Sequence, residues 1–193
     1  MTALLEPASA PRYTIERYFA LVDEGLLGAD DRVELLEGVV VAMSPRNPPH
    51  DAAVSLAATA LTVAVADRAS VRCQLSLVLG QHSVPEPDVA VVSGHARDYG
   101  RAHPRTALLV VEVADTSLAQ DRITKAAIYA AAGIPECWIV NLRDGCVEVH
   151  RAPDREAGRY TEARTARAGE GLDLVALPGV SLPADDLLLD LSR

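Results

Sequence analysis

The chain has 193 residues, of which 49% are hydrophobic and 23% charged, a balance that suits one compact domain and excludes a disordered chain. Eighteen basic against 27 acidic residues leave a formal charge of −9, so a protein that coats DNA through a general basic surface is excluded. Only a local concentration of positive charge could meet a polyanion.

Residues 1–12 hold Pro7 and Pro11 with little periodicity and read as a flexible N-terminal arm to a single domain spanning 13–193. Tyr13 to Glu24 places Ile15, Tyr18, Phe19 and Val22 at helical spacing, with Thr14 as N-cap and Gly25 and Gly28 closing it. Val33 to Met43 reads as a hairpin turning at Glu37-Gly38. After a proline-rich loop, Asp51 is placed to cap a helix running to about Arg68. That helix is apolar nearly all round, which calls for cover by a sheet or a partner subunit. With the leucines of 187–191, it suggests a homodimer.

Strands are expected at Val71–Leu79, Pro87–Val92 and Ala107–Ala114, then a helix at Gln120–Ala132 closed by Gly133 and Pro135. Strands at Cys137–Asn141 and Cys146–Arg151 follow, and 152–193 reads as hairpin material with a short apolar tail. The result is an α/β (α+β) fold with a central mixed sheet flanked by helices and hairpin additions at both ends. Three widely spaced cysteines, without a CxxC pair, read as buried free thiols. The N-terminus has no signal-peptide pattern, and the longest apolar run is too short to cross a bilayer. A soluble, cytoplasmic protein is expected, away from membranes.

Four charged residues sit where charge is costly. Asp88 opens an apolar strand, Glu112 interrupts Leu108 to Ala114, Glu34 lies within Val33 to Leu36, and Lys125 falls on the helix after the Glu112 strand. Lys125 is also the sole lysine among 18 basic residues. An ionised carboxylate in an apolar strand carries a penalty of several kcal/mol unless it is paired or binds a metal. Carboxylate oxygens are the ligands Mg²⁺ prefers, and Mg²⁺ completes its shell with water and substrate phosphate. Strand-borne carboxylates beside one lysine therefore make a coherent site for metal-assisted phosphodiester cleavage. Each residue also has a plainer reading. Glu112 and Glu34 can face water, and Asp88 can punctuate a turn. Lys125 can pair with Asp121 one helical turn earlier, whereas a catalytic Lys125 is expected to be replaceable by alanine with the thermal midpoint nearly unchanged. The loop 94–105 carries Arg97, Arg101 and Arg105, a local positive balance able to meet phosphates or simply to be solvated.

Taken in order, the segments Val33-Glu34-Leu35-Leu36-Glu37-Gly38, Met43-Ser44-Pro45 then His50, Pro87-Asp88-Val89-Ala90-Val91-Val92, Val110-Val111-Glu112-Val113, Asp121-Arg122 with Lys125, and Tyr129 to Val140 form one pattern. Leu177-Pro178-Gly179-Val180-Ser181-Leu182-Pro183 completes it. This pattern resembles the Uma-type restriction endonuclease family, a branch of the PD-(D/E)XK nuclease superfamily. The resemblance implies a restriction endonuclease-like core and Mg²⁺ or Mn²⁺ held by Asp88 and Glu112. It also implies catalytic roles for Lys125 and Glu34, and substrate contact by His50. In the superfamily's common signature the lysine stands two residues after the acid, a place taken here by Ala114. Two functions follow from this resemblance: a metal-dependent DNA endonuclease, or an inactive DNA-binding or assembly subunit that keeps the fold.

Overall fold

The computed structural model describes residues 12–28, 30–114 and 119–190, so all of the expected arm but Arg12 lies outside the described residues. Helix α1 (Ile15–Asp23) begins where Thr14 accepts a hydrogen bond from the Arg17 N–H at 3.2 Å. Strands β1 (Val33–Leu36) and β2 (Val39–Ala42) pair antiparallel around Glu37 and Gly38, whose φ angles are +47° and +82°. Two positive φ values in a two-residue loop match the twist of the flanking strands. Gly38 meets a second demand, because a Cβ there would come within 2.5 Å of the Arg12 Cβ.

Helix α2 (Pro48–Val65) starts earlier than its composition suggests. Asn47, not Asp51, is its cap, accepting from the His50 N–H at 3.0 Å. Pro48 and Pro49 occupy the first turn, where their missing N–H groups would have no helical partner anyway. The next strand, β3 (Ser70–Cys73), is half the expected length. Gln74 takes a φ of +50°, which turns the chain out of the sheet, and Leu77 and Leu79 pack elsewhere in the core. After β4 (Val89–Val92) comes β5 (Leu109–Ala114), then helix α3 (Ala119–Ala132), closed by Gly133 at a φ of +77°. The chain continues through β6 (Glu136–Asn141), β7 (Cys146–Asp154), β8 (Arg159–Ala166) and a small hairpin of β9 (Gly171–Asp173) with β10 (Ser181–Pro183).

The main sheet runs β3-β4-β5-β6-β7-β8, and only the β5–β6 pair is parallel, joined through α3. Every residue of β4, β5 and β6 is buried, as expected of strands covered on both faces. Side-chain alternation divides them. Val89, Val91, Val111 and Val113 pack with Ala57 and Leu61 of α2, whereas Ala90, Val110 and Ala114 pack with Ile128 and Tyr129 of α3. Period two therefore assigns Glu112 to the α3 side, between Val110 and Ala114. The apolar face of α2 is covered by the protomer's own sheet, and the leucine tail is used the same way, with Leu187 fully buried in the α2-side core. Cysteine placement differs from expectation at one position: all three thiols are free, but Cys73 is exposed while Cys137 and Cys146 are buried. Among the described residues no helix is long and apolar enough to cross a membrane.

Candidate active site

The β4–β5 register pairs Val89 with Val111, so one further step sets Asp88 opposite Glu112. In an antiparallel pair, residues directly opposite share a face with Cβ atoms about 4.5–5.5 Å apart. The ladder stops at this step. The Val113 N–H instead donates to Asp88 Oδ2 at 2.9 Å, so a carboxylate takes the place of a strand carbonyl. Asp88 Oδ1 accepts from Gln74 Nε2 at 3.4 Å, and Oδ2 lies 3.2 Å from His50 Nε2. Burial disfavours the Asp88 charge, but the hydrogen bond and charge of His50, with the Val113 and Gln74 donors, outweigh it and hold its pKa below the usual value. The same contact with Asp88 raises the His50 pKa against its own burial.

Glu112 is 6% exposed. Two donors from α3 reach its Oε1: the Tyr129 hydroxyl at 2.5 Å and Lys125 Nζ at 3.7 Å. Lys125 and Tyr129 are four residues apart and so share a helix face. Burial pushes the Glu112 pKa up to about 7, an effect that the Lys125 charge offsets only in part. Lys125 is 8% exposed and lies 3.0 Å from Glu34 Oε2, with the Glu86 carbonyl at 3.5 Å. Its burial opposes the ammonium, yet Glu112 and Glu34 together keep its pKa above the ordinary lysine value. Glu34, itself 5% exposed, is fixed from the other side by the Glu86 N–H at 3.1 Å.

Glu34, His50, Asp88, Glu112 and Lys125 thus line one cleft of about 400 Å³. Lys125 is a buried ion-paired group, and this overturns the expectation that its loss would be thermally neutral. It also accounts for Ala114. That small residue lies on the α3 side of the sheet, and the amine reaches the same side from the helix rather than from the strand.

The anticipated arginines are placed differently. Arg97, in a short 3-10 turn (Ala96–Tyr99), and Arg101 are exposed and do not line this cleft. Arg105 lines a neighbouring cleft with Arg12, His82 and Arg155. The cleft itself is lined by Arg12, Arg32 and Arg46, which carried no local charge signal in the sequence. Gln74 and Tyr129 were also passed over as site residues. The spacing of Tyr129 four residues after Lys125 was the one available clue.

The donor set fits a hard divalent cation bound with water. Asp88 and Glu112 offer carboxylate oxygens from facing positions, and a carboxyl with a pKa of about 7 gives up its proton readily to a competing cation at neutral pH. Among the described residues no cluster of three or more His, Cys, Asp or Glu side chains is arranged to hold a metal. Magnesium usually takes only one or two carboxylates and keeps its waters.

Comparison with known proteins follows this geometry. The chain aligns over 90% of its length with 96% of a crystal structure described as a putative nuclease belonging to DUF820 from Anabaena variabilis, at a TM-score of 0.71 and 18% identity. The fold is therefore restriction endonuclease-like. Among curated proteins none matches. The family model for Uma2, described as "Putative restriction endonuclease", matches residues 15–185. The chain belongs to the Uma2 family.

Proposed function

We propose that this protein is a metal-dependent endonuclease that hydrolyses DNA phosphodiester bonds, with Asp88 and Glu112 holding Mg²⁺ or Mn²⁺ and Lys125 and Glu34 completing the catalytic set. The observation that supports it most is the buried Glu112 carboxylate, opposite Asp88 and 3.7 Å from a buried ammonium. A fold seldom maintains such a group without use, because its ionisation is disfavoured at neutral pH.

The metal, when bound, would supply positive charge to the scissile phosphate and a more acidic water. The protein's part is positioning. Glu34 and the Glu86 carbonyl fix Lys125, so its remaining donor capacity points at the carboxylate pair, where it can hold an attacking water or steady charge developing on a phosphate oxygen. His50 and the Val113 N–H orient Asp88, and Tyr129 orients Glu112. Hydrolysis forms one bond from water oxygen to phosphorus and breaks one ester bond, and the leaving oxygen ends protonated.

A second reading has one observation in its favour. Lys125 and His50 already face the three carboxylates, so a site without a metal is largely charge-compensated. That would suit an inactive subunit that binds DNA or assembles with a partner. Plasmid nicking with Mg²⁺ or Mn²⁺, set beside Glu112→Gln, separates the two. Cleavage that needs the cation and disappears in the variant supports the nuclease. Cleavage equal in both proteins, or calorimetry showing no Mn²⁺ binding, refutes the assignment of these carboxylates.

A further inference from the structure

We infer that Arg12, Arg32 and Arg46 form the cradle for DNA phosphates, in place of Arg97 and Arg101 of the loop 94–105. This inference rests on the nuclease reading of the cleft and names how its polyanionic substrate is held.

The three residues come from separate segments, and the β1–β2 hairpin gathers them. Arg12 packs against Gly38 at the hairpin turn. Arg32 directly precedes β1, and its carbonyl accepts from the Met43 N–H at 2.8 Å, which closes the hairpin base. Arg46 follows β2. Strands of four residues span about 13 Å, so arginines at both ends can follow a backbone rather than one phosphate. All three are exposed, and among the described residues none has an ion-pair partner, unlike Arg17 with Glu24 or Arg151 with Glu136. The carboxylates and these exposed arginines line the same cleft. Glu37 and Glu86 line the same cleft, so these three arginines supply its exposed positive charge amid acidic neighbours.

Two further features extend the argument. Arg46 donates to Gln74 Oε1, and Gln74 Nε2 donates to Asp88, so a phosphate on Arg46 would sit one amide away from a site carboxylate. Gln74 holds this position with a φ of +50°, a conformation a non-glycine residue seldom adopts without cause. Arg32 and Arg46 also border a groove that continues along α2 past Ser55 and Thr59. Arg12 also borders a further cleft, shared with Arg105 and Arg155. Arginine therefore borders the carboxylate cleft and both adjoining clefts, which a bound strand could follow beyond the carboxylates.

The test is fluorescence anisotropy of a short labelled DNA duplex with the full chain in EDTA, over a salt series, beside plasmid nicking. Arg12→Gln/Arg32→Gln/Arg46→Gln should bind at least tenfold more weakly, with a log–log salt slope shallower by about 2–3, near 0.9 per phosphate contact. The all-lysine triple should keep affinity within a few-fold, which separates lost charge from lost packing. Arg97→Gln/Arg101→Gln should bind like the parent. The inference is overturned if the glutamine triple binds within twofold of the parent, if the loop pair loses as much as the triple, or if the parent does not bind DNA. A parent that binds through these arginines yet cleaves nothing with Mg²⁺ or Mn²⁺ would remove the nuclease reading and leave this one standing.

Discussion

Glu112→Gln should stabilise the metal-free protein while abolishing the proposed metal-dependent cleavage. The Glu112 carboxyl has an ordinary pKa of 4.5 and is pushed up to about 7 by burial, with the Lys125 attraction already counted. A raised carboxyl pKa means the folded state binds more protons than the unfolded state between those values, so stability falls as pH rises through that window. Above pH 7 the accumulated loss is about 3 kcal/mol, at 1.36 kcal/mol per pH unit. A glutamine resembles the protonated acid and can still accept from Tyr129. At pH 8 in EDTA the variant should therefore melt about 6–12 °C above the parent, given about 2–4 °C per kcal/mol for a chain of this size. Near pH 5 the gain should shrink to about 2–3 °C. Thermal unfolding from pH 5 to 8, with EDTA and with excess Mn²⁺, measures this. Mn²⁺ should raise the parent's midpoint and leave the variant's unchanged. A variant less stable than the parent at pH 8, or a difference independent of pH, would refute the reasoning.

Lys125→Met removes the ammonium between Glu34 and Glu112 and should cost about 3–5 kcal/mol at pH 8. Chemical denaturation should show that cost falling toward pH 5, where the stranded carboxylates can protonate, and an unchanged cost would count against the pairing. Tyr129→Phe removes a hydrogen bond to a charged acceptor, with an expected loss of about 1.5–3 kcal/mol. Because that bond favours the Glu112 anion, calorimetry should find the pH at which Mn²⁺ begins to bind moved upward, not downward. His50 has a raised pKa through Asp88, so its contribution is complete below pH 6.5 and declines as pH climbs through the folded-state value. His50→Gln should flatten that decline in unfolding curves, and a variant that tracks the parent above pH 6.5 would disprove the link to Asp88.

Much of the site was legible because charge in an apolar strand is an anomaly that has to be resolved somewhere. Glu112 within Leu109–Ala114 and Asp88 before Val89 each announce themselves in that way, and strand alternation then fixes a common side. Lys125 was legible as the one lysine in an arginine-rich chain. Its burial was not, because helical spacing to Asp121 gave an adequate surface alternative. The end of β3 at Cys73 was hidden for another reason: Val71 to Leu79 has good strand composition, and nothing in it marks Gln74 for a positive φ. Arg97 and Arg101 lie outside the carboxylate cleft, a placement the sequence could not show because charge density along the chain carries no information about where a loop faces. Arg12, Arg32 and Arg46 are 14 or more residues apart and meet only through the hairpin and its neighbours, a tertiary fact with no local trace.

The β1–β2 hairpin is not a member of the six-stranded sheet. Among the described residues its one bridge to another strand segment is Leu35 to Val84, and its turn is held by Gly38 N–H to the His82 carbonyl and Glu37 N–H to Ser83 Oγ. Yet it delivers Glu34, the nearest anion to the buried amine. Elements outside the main sheet's ladder open at lower free energy than its central strands. Each excursion of this ribbon would strip the amine of its closest counter-charge and admit solvent beneath it. Amide exchange should accordingly run faster along Val33–Ala42 than along Leu109–Ala114, and slow when a ligand bridges both.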